Sequence, residues 1–150
     1  MRQIAVVLAM ASVALAADGR VDIYSAKDLA AMEQKLAQKR AKFASADLAR
    51  YGNHYTLLAR REATGSAEVH EHEADIFVIE GGEAIIVTGG KVVNGHTEKA
   101  GEIRGSSIEG GERHQLAAGD IIHIPAGTPH QLLIDKGKPF TYFVIKVTGQ

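Results

Sequence analysis

Hydrophobic and polar positions follow two different periods along the chain, and the change falls near residue 50. Between residues 26 and 44, apolar residues recur at spacings of three, four and seven, which places them on one helical stripe. The preceding Ser25-x-x-Asp28 pattern is a signal for the start of a helix. The sequence therefore predicts a helix from about residue 26 to 44. Its stripe comprises Leu29, Met32, Leu36 and Phe43.

Downstream of residue 55 the pattern changes to short apolar or alternating runs that glycines separate. Many short strands at such a spacing are typical of an antiparallel sandwich or a small barrel. Residues 94–111 are rich in Gly, Glu and Ser without a strong period, and they are predicted to form a long loop. The predicted strands cover residues 55–62, 74–80, 83–88, 91–93, 114–116, 120–125, 130–134 and 140–147.

The first sixteen residues have the pattern of a secretory signal peptide. Arg2 gives a positive start, residues 4–16 form an apolar run, and Ala14-Leu15-Ala16 supplies a cleavage signal before Ala17. This run is short for a membrane span, which takes about 20 residues. We therefore expect an exported protein, periplasmic or secreted, that has no membrane association after cleavage. The expected divisions are a signal peptide (1–16), an N-terminal helical segment (17–52) and one β-barrel domain (53–150).

Composition excludes several classes of protein. Hydrophobic residues make up 45% of the chain, which is typical of a globular protein. A formal net charge of −1 gives no indication of nucleic-acid binding. The sequence contains no Cys, so disulfides, thiolate ligands and cysteine nucleophiles are all excluded.

The stretch "EVHEHEAD" (68–75) concentrates histidines and carboxylates. On a strand, residues two apart point to the same face, so His70 and His72 should project together, with Glu68 on the same side. A tight turn near Glu73 would bring Asp75 back towards the two imidazoles. Two imidazoles and a carboxylate suit Mn, Fe, Ni, Co or Zn, although a His-x-His pair alone is weak evidence.

A second stretch, "GDIIHIPAGTPH" (119–130), supplies another imidazole. Pro125 ends a predicted strand because it cannot donate a ladder hydrogen bond. Gly127 allows a turn conformation that other residues avoid. His130 then opens the next strand, so the rigid turn determines where its imidazole is placed.

These two stretches resemble the paired motifs of the cupin superfamily. The first family motif has Gly, five residues, His-x-His, three or four residues, Glu, six residues and Gly. Here Gly65, His70, His72, Asp75 and Gly82 follow that order, with four residues before His70 and two before Asp75.

The second family motif has Gly, five residues, Pro-x-Gly, two residues, His, three residues and Asn. Here Gly119, Pro125, Gly127 and His130 match it at the same spacing, and Ile134 replaces the Asn. This second match is the more specific, and the resemblance covers about residues 53–148.

The resemblance implies an all-β double-stranded β-helix, a cupin jelly-roll barrel, preceded by the N-terminal helix. It also implies one divalent metal, usually Mn or Fe but also Ni, Co or Zn, with His70, His72, Asp75 and His130 as ligands. Asp75 is one methylene shorter than the family's Glu, and its turn is shorter too. Either Asp75 reaches the ion, or Glu68 substitutes for it, or the three histidines hold the ion alone.

The function expected from this resemblance is that of an exported metalloenzyme acting on a polar small molecule, with oxygenase, isomerase or lyase chemistry. The alternative is a non-catalytic module that binds or senses a small ligand. A homodimer is expected, since the helix stripe and the barrel edges need covering. Phe77, Ile79, Leu132 and Ile134 are candidate wall residues, and Tyr55, Arg60, Tyr142 and Lys146 are polar candidates for substrate contact.

Overall fold

The computed structural model describes Gly19 and residues 21–150. The signal peptide predicted over residues 1–16 lies outside the described residues. One helix, α1, precedes a series of antiparallel strands. The helix is α1 (Ala26–Gln38), and the first strands are β1 (Phe43–Arg50), β2 (His54–Arg61), β3 (Ala67–His70), β4 (Glu73–Gly81), β5 (Glu83–Thr88) and β6 (Lys91–Val93). The later strands are β7 (His96–Lys99), β8 (Glu102–Gly105), β9 (Ser107–Glu109), β10 (Glu112–Ala117), β11 (Ile121–Ile124), β12 (His130–Leu133) and β13 (Phe140–Thr148).

The strands form two facing sheets and a small ribbon. The five-stranded sheet has the order β1-β2-β13-β4-β11, and the six-stranded sheet has the order β10-β5-β12-β3-β8-β7. The ribbon pairs β6 with β9. From β2 to β5, and again from β10 to β13, consecutive strands alternate between the two sheets, as in a double-stranded β-helix. The predicted all-β fold with an N-terminal helix is confirmed.

The core lies between the sheets, where alternate side chains of each strand point inward. Its largest fully buried apolar side chains are those of Phe140 and Ile86. All four candidate wall residues, Phe77, Ile79, Leu132 and Ile134, are buried in the principal core cluster. Their inward orientation is therefore as expected, but only Phe77 lines the cavity beside the histidines.

Helix α1 covers the outer face of the five-stranded sheet. Ser25 and Asp28 form a reciprocal capping box at its start, as the sequence predicted. Leu36 is buried beneath the helix, and Leu29 and Met32 pack around it. These contacts confirm the helical stripe as far as Leu36.

The predicted end of the helix at residue 44 is wrong. The helix ends at Gln38, and Arg40 takes a left-handed conformation with φ +50°, which stops helical propagation. Phe43 instead begins β1, where its ring lies 4.5 Å from the guanidinium carbon of Arg61.

The predicted loop over residues 94–111 is also different in the structure. This segment contains β7, β8 and β9, and β7 and β8 extend the six-stranded sheet at its edge. The strands are short and carry many charges, so they lack the apolar alternation that marks buried strands. The segment reaches one end of the barrel, where Glu98, Glu102 and Arg104 line a cavity.

None of the helices among the described residues has the length and apolar character needed to cross a membrane.

Candidate metal centre

Two neighbouring strands place three side chains at the end of the barrel. Strands β3 and β12 pair in antiparallel fashion with His130 opposite Glu68. His70 lies two residues after Glu68 on β3, so both side chains point to the same face. The backbone N–H of Gly127 donates to the carbonyl of His70 at 2.8 Å, which fixes the turn before His130 against the end of β3. The ligand atoms of Glu68, His70 and His130 all lie within 4.8 Å of one another.

Asp75 approaches the same imidazoles from the facing sheet. It lies near the start of β4, opposite Ile124 and Lys146 in the strand register, and only 2% of its surface is exposed. Its Oδ2 lies 3.5 Å from Nε2 of His70 and 3.6 Å from Nε2 of His130. Asp75 therefore lies beside His70, as the predicted turn requires, but its second imidazole neighbour is His130 rather than His72.

Glu68 contributes the second carboxylate oxygen to this cluster. Its Oε2 lies 3.3 Å from Nε2 of His70 and 3.8 Å from Nε2 of His130. Nitrogen and oxygen donors bound to one ion at about 2.1 Å are separated by about 3.0 to 3.4 Å at adjacent positions. The four carboxylate–imidazole separations, 3.3 to 3.8 Å, are at or slightly above that range. Glu68, His70 and His130 form the group whose ligand atoms all lie within 4.8 Å of one another, and Asp75 lies outside that group.

His130 is oriented so that its lone pair faces the cluster. Nδ1 donates to the backbone carbonyl of Thr128 at 3.1 Å, and the neutral ring then carries its lone pair on Nε2. This Nε2 is buried and has no hydrogen-bond partner among the described residues. Burial lowers the pKa of His130, which favours the neutral ring that a metal requires.

Each carboxylate has one oxygen paired with cations and the other turned to the imidazoles. Oε1 of Glu68 accepts from Arg61 at 3.2 Å and also contacts Arg104. Burial would raise the pKa of Glu68, but interactions with His70, Arg104, His130 and Arg61 outweigh burial and lower it to about 2.

Oδ1 of Asp75 accepts from Lys146 at 2.6 Å. Glu68 and Asp75 are thus held by cations on one oxygen each, while Oε2 and Oδ2 face Nε2 of His70 and His130. Two imidazole nitrogens and two carboxylate oxygens suit a divalent transition metal. A buried nitrogen without a hydrogen-bond partner, such as Nε2 of His130, is suited to act as a metal ligand.

A cavity of about 640 Å³ opens beside the cluster. Its wall is apolar at Leu57, Ala59, Phe77 and Val144, and charged towards the mouth. This volume lies in the range of small-molecule sites, which extends from about 300 to 1,000 Å³.

The family comparison bears on the segment that carries His130. The model of the cupin domain family Cupin_2 matches residues 99–146, which extend from the end of β7 into β13. This match agrees with the double-stranded β-helix topology and with the histidine–carboxylate cluster. The chain carries a cupin domain match over these residues and has the cupin fold. A search of curated proteins finds no match to the sequence of this cupin.

Solved structures share the fold of this cupin at low sequence identity. A conserved protein with a double-stranded β-helix domain from Klebsiella pneumoniae has a TM-score of 0.59 and 16% identity, covering 87% of this chain and 93% of its own. A Cupin 2 conserved barrel domain protein from Salinispora arenicola gives 0.50 and 17%, covering 70% and 75%. DMSP lyase DddQ from Ruegeria pomeroyi gives 0.51 and 21%, covering 74% of this chain and 49% of the lyase.

The structure does not bring His72 to the metal centre of this cupin. Strand β3 ends at His70, and His72 lies exposed in the bend that leads to β4. Because the strand ends at His70, the alternation that would place His72 on the same face does not extend to His72. The imidazole of His72 faces Gly101 at the turn between β7 and β8, where Cδ2 lies 3.2 Å from an ideal Cβ position.

The polar candidates for substrate contact fall into two groups. Tyr55, Tyr142 and Lys146 line the cavity, whereas Arg60 lies on the helix-covered face with Glu33. The hydroxyl of Tyr142 accepts from Nε of Arg61 at 2.9 Å, and burial raises the pKa of this phenol.

Lys146 lies in the wall of the cavity, with 14% of its side chain exposed. Its partner in the register of β13 and β4 is Asp75, and this pairing is not visible in the sequence. The cations Arg61 and Arg104 were likewise not predicted near the metal. The only indication in the sequence was that Arg61 lies an even number of residues after Tyr55 on β2, so both side chains should point to the same face.

Proposed function

We propose that this cupin is a metal-dependent enzyme acting on a polar small molecule. Glu68, His70, Asp75 and His130 would hold one divalent transition metal, with Mn or Fe favoured. The reaction would be of the oxygenase, isomerase or lyase type. The observation that carries this proposal is the convergence of Glu68 and His70 on the buried and unpaired Nε2 of His130, with Oδ2 of Asp75 3.6 Å from the same nitrogen.

A bound divalent metal would supply Lewis-acid polarisation of a ligand oxygen. The chain's own residues would provide orientation and a dry wall. Thr128 holds the ring of His130, and Arg61 and Lys146 hold the two carboxylates. Phe77 and its apolar neighbours would exclude water from one side of the cavity. The hydroxyl of Tyr142, held by Arg61, would be available as a proton donor at the Oη atom.

Metal analysis tests this proposal directly. Untagged protein purified without chelators and reconstituted with Mn or Fe should contain about one transition metal per chain by elemental analysis. His130→Ala should lose this metal, and His114→Ala, on the exposed part of β10, should retain it. Equal metal content in the two variants, or less than about a tenth of an equivalent in the wild type, would remove the basis of the proposal.

A binding or sensing module remains the second candidate. It is favoured by the ion pairs beside the metal centre, because Lys146, Arg61 and Arg104 all have carboxylate partners and are not free to act as acids or bases. Oxygen uptake and product analysis with small acids, diketones and phenols would separate the two candidates. A ligand that binds the metal-loaded protein tightly and is recovered unchanged would favour the module.

Export and self-association are further proposals that rest on the sequence. Cleavage after Ala16 would release a periplasmic or secreted protein, with the N-terminal segment (17–52) preceding the cupin domain (53–150). Fractionation of expressing cells and N-terminal sequencing of the product would test this. We also propose that the protein forms a homodimer. Measuring the molar mass of the protein in solution at several concentrations tests this.

A further inference from the structure

We infer that the cavity takes a small organic carboxylate that carries a single negative charge and an apolar body. This inference rests on the proposed metal-binding function and adds the chemical class of the ligand. It follows from the charges around the cavity, from the pairing of the cations and from the position of one hydroxyl group.

The ionisable residues that line the cavity carry one excess negative charge. They comprise five carboxylates and four lysine or arginine cations. The charged groups near the mouth do not change the result, because Glu98 and Lys99 cancel. A divalent ion converts this balance to one excess positive charge. An uncompensated charge in a partly enclosed cavity is costly, so a ligand with a single negative charge restores neutrality.

The excess positive charge belongs at the metal centre, since the cations already have partners. Lys146 is 2.6 Å from Asp75, and Lys99 is 2.8 Å from Glu102. Arg61 and Arg104 share Oε1 of Glu68. These pairs make the cations poor sites for a second anion. The negative end of a ligand is therefore directed to the four donor atoms rather than to the cavity mouth.

One hydroxyl group is placed to donate a hydrogen bond to such an anion. Tyr142 is 3% exposed and lines the cavity, and its oxygen accepts the N–H of Arg61. Because that oxygen acts as acceptor, its own proton points elsewhere, and the hydrogen bonds of the described residues give it no acceptor. A carboxylate oxygen would be that acceptor. Leu57, Ala59 and Val144 lie along the same wall and would contact an alkyl chain.

Three probes separate the parts of this inference. Hexanoate, its neutral analogue hexanamide, and acetate are titrated into the manganese-loaded protein by calorimetry. Hexanoate should bind at least about tenfold more tightly than hexanamide, because only the anion neutralises the excess charge. It should also bind at least about tenfold more tightly than acetate, because the alkyl chain buries apolar surface.

Variants and controls distinguish failure of this inference from failure of the metal site. Tyr142→Phe should weaken hexanoate by several-fold, leaving the manganese content unchanged, and His123→Ala, which is remote from this cavity, should change neither. A protein that binds neither manganese nor iron contradicts the proposed function. A manganese-loaded protein that binds hexanamide as tightly as hexanoate contradicts only the carboxylate inference. Equal hexanoate affinity in Tyr142→Phe would overturn the role of the hydroxyl.

Discussion

The ammonium of Lys146 lies 2.6 Å from Oδ1 of Asp75, and the other oxygen of that carboxylate faces the imidazoles of His70 and His130. A lysine inside a barrel is costly unless it is paired, so the two side chains depend on each other. Strand register produces the pair, because Lys146 and Asp75 are opposite one another on β13 and β4.

Lys146→Met should destabilise the metal-free protein by about 3 kcal/mol, because it leaves the buried Asp75 without its cation. Urea denaturation with and without manganese checks this expectation. Added metal should recover part of the loss, since the ion supplies the missing positive charge. Lys138→Met removes an exposed pair with Asp135 and should cost less than about 1 kcal/mol. Equal losses for the two variants would show that the Lys146 pair does not matter.

Glu68→Gln and Asp75→Asn should each lower metal affinity at least about tenfold, because each removes the charge of one donor. His72→Ala should leave the affinity within about twofold, since this ring lies outside the cluster. Competition with a chelator of known affinity measures all three. A loss in His72→Ala that equals the loss in Glu68→Gln would restore the ligand set that the family motif implies.

Gly82→Ala should be more destabilising than Gly119→Ala. Both glycines have positive φ, +80° and +93°, so each substitution carries a conformational cost of about 1 to 2 kcal/mol. At Gly82 a Cβ would also clash with the backbone oxygen of Pro139, whereas at Gly119 it would meet open space. In thermal denaturation, Gly82→Ala should therefore have a lower unfolding midpoint than Gly119→Ala. The reverse order would contradict the packing at Pro139.

The capping box at α1 should make stability depend on pH in the acid range. Hydrogen bonds from Ser25 lower the pKa of Asp28 below its usual value of 3.8. A carboxyl with a lowered pKa stabilises the fold above its unfolded pKa, and this contribution is lost as the pH falls through the folded pKa.

The advantage of the wild type over Asp28→Asn in urea denaturation should therefore be constant from pH 7 to about pH 5, and should shrink below about pH 4. Ser25→Ala should cost about 1 kcal/mol at pH 7 by the same measurement. A gap between wild type and Asp28→Asn that stays constant down to pH 3 would show that the charge of Asp28 does not stabilise the folded protein.

Much of the barrel could be predicted, because its buried strands alternate and its glycines separate them. The Pro125-x-Gly127 turn and His130 were the most specific prediction, since rigid turn chemistry determines where the imidazole lies. Strand β1 was missed because its sequence (FASADLAR) has no β-branched residue and follows a genuine helix. Strands β7 to β9 were missed because their charged side chains face the cavity mouth or solvent.

The donor set illustrates what local sequence cannot supply. Strand alternation on β3 correctly placed Glu68 and His70 on one face. It wrongly added His72, because a run of polar residues does not show where the strand ends. The approach of Asp75 depends on the packing of two sheets, and the pairing of Lys146 depends on a partner 71 positions away. Both are consequences of topology rather than of spacing.

Arg104 belongs to the β7–β8 hairpin at the cavity mouth, yet it contacts Glu68 in the candidate metal centre. The residues proposed to select a ligand and those proposed to hold the ion are therefore in direct contact in this protein. A substitution that reshapes the entrance through Arg104 also alters the field at the ion. Divergence of ligand preference along this hairpin would consequently be accompanied by changes in metal affinity, and the two traits would evolve together.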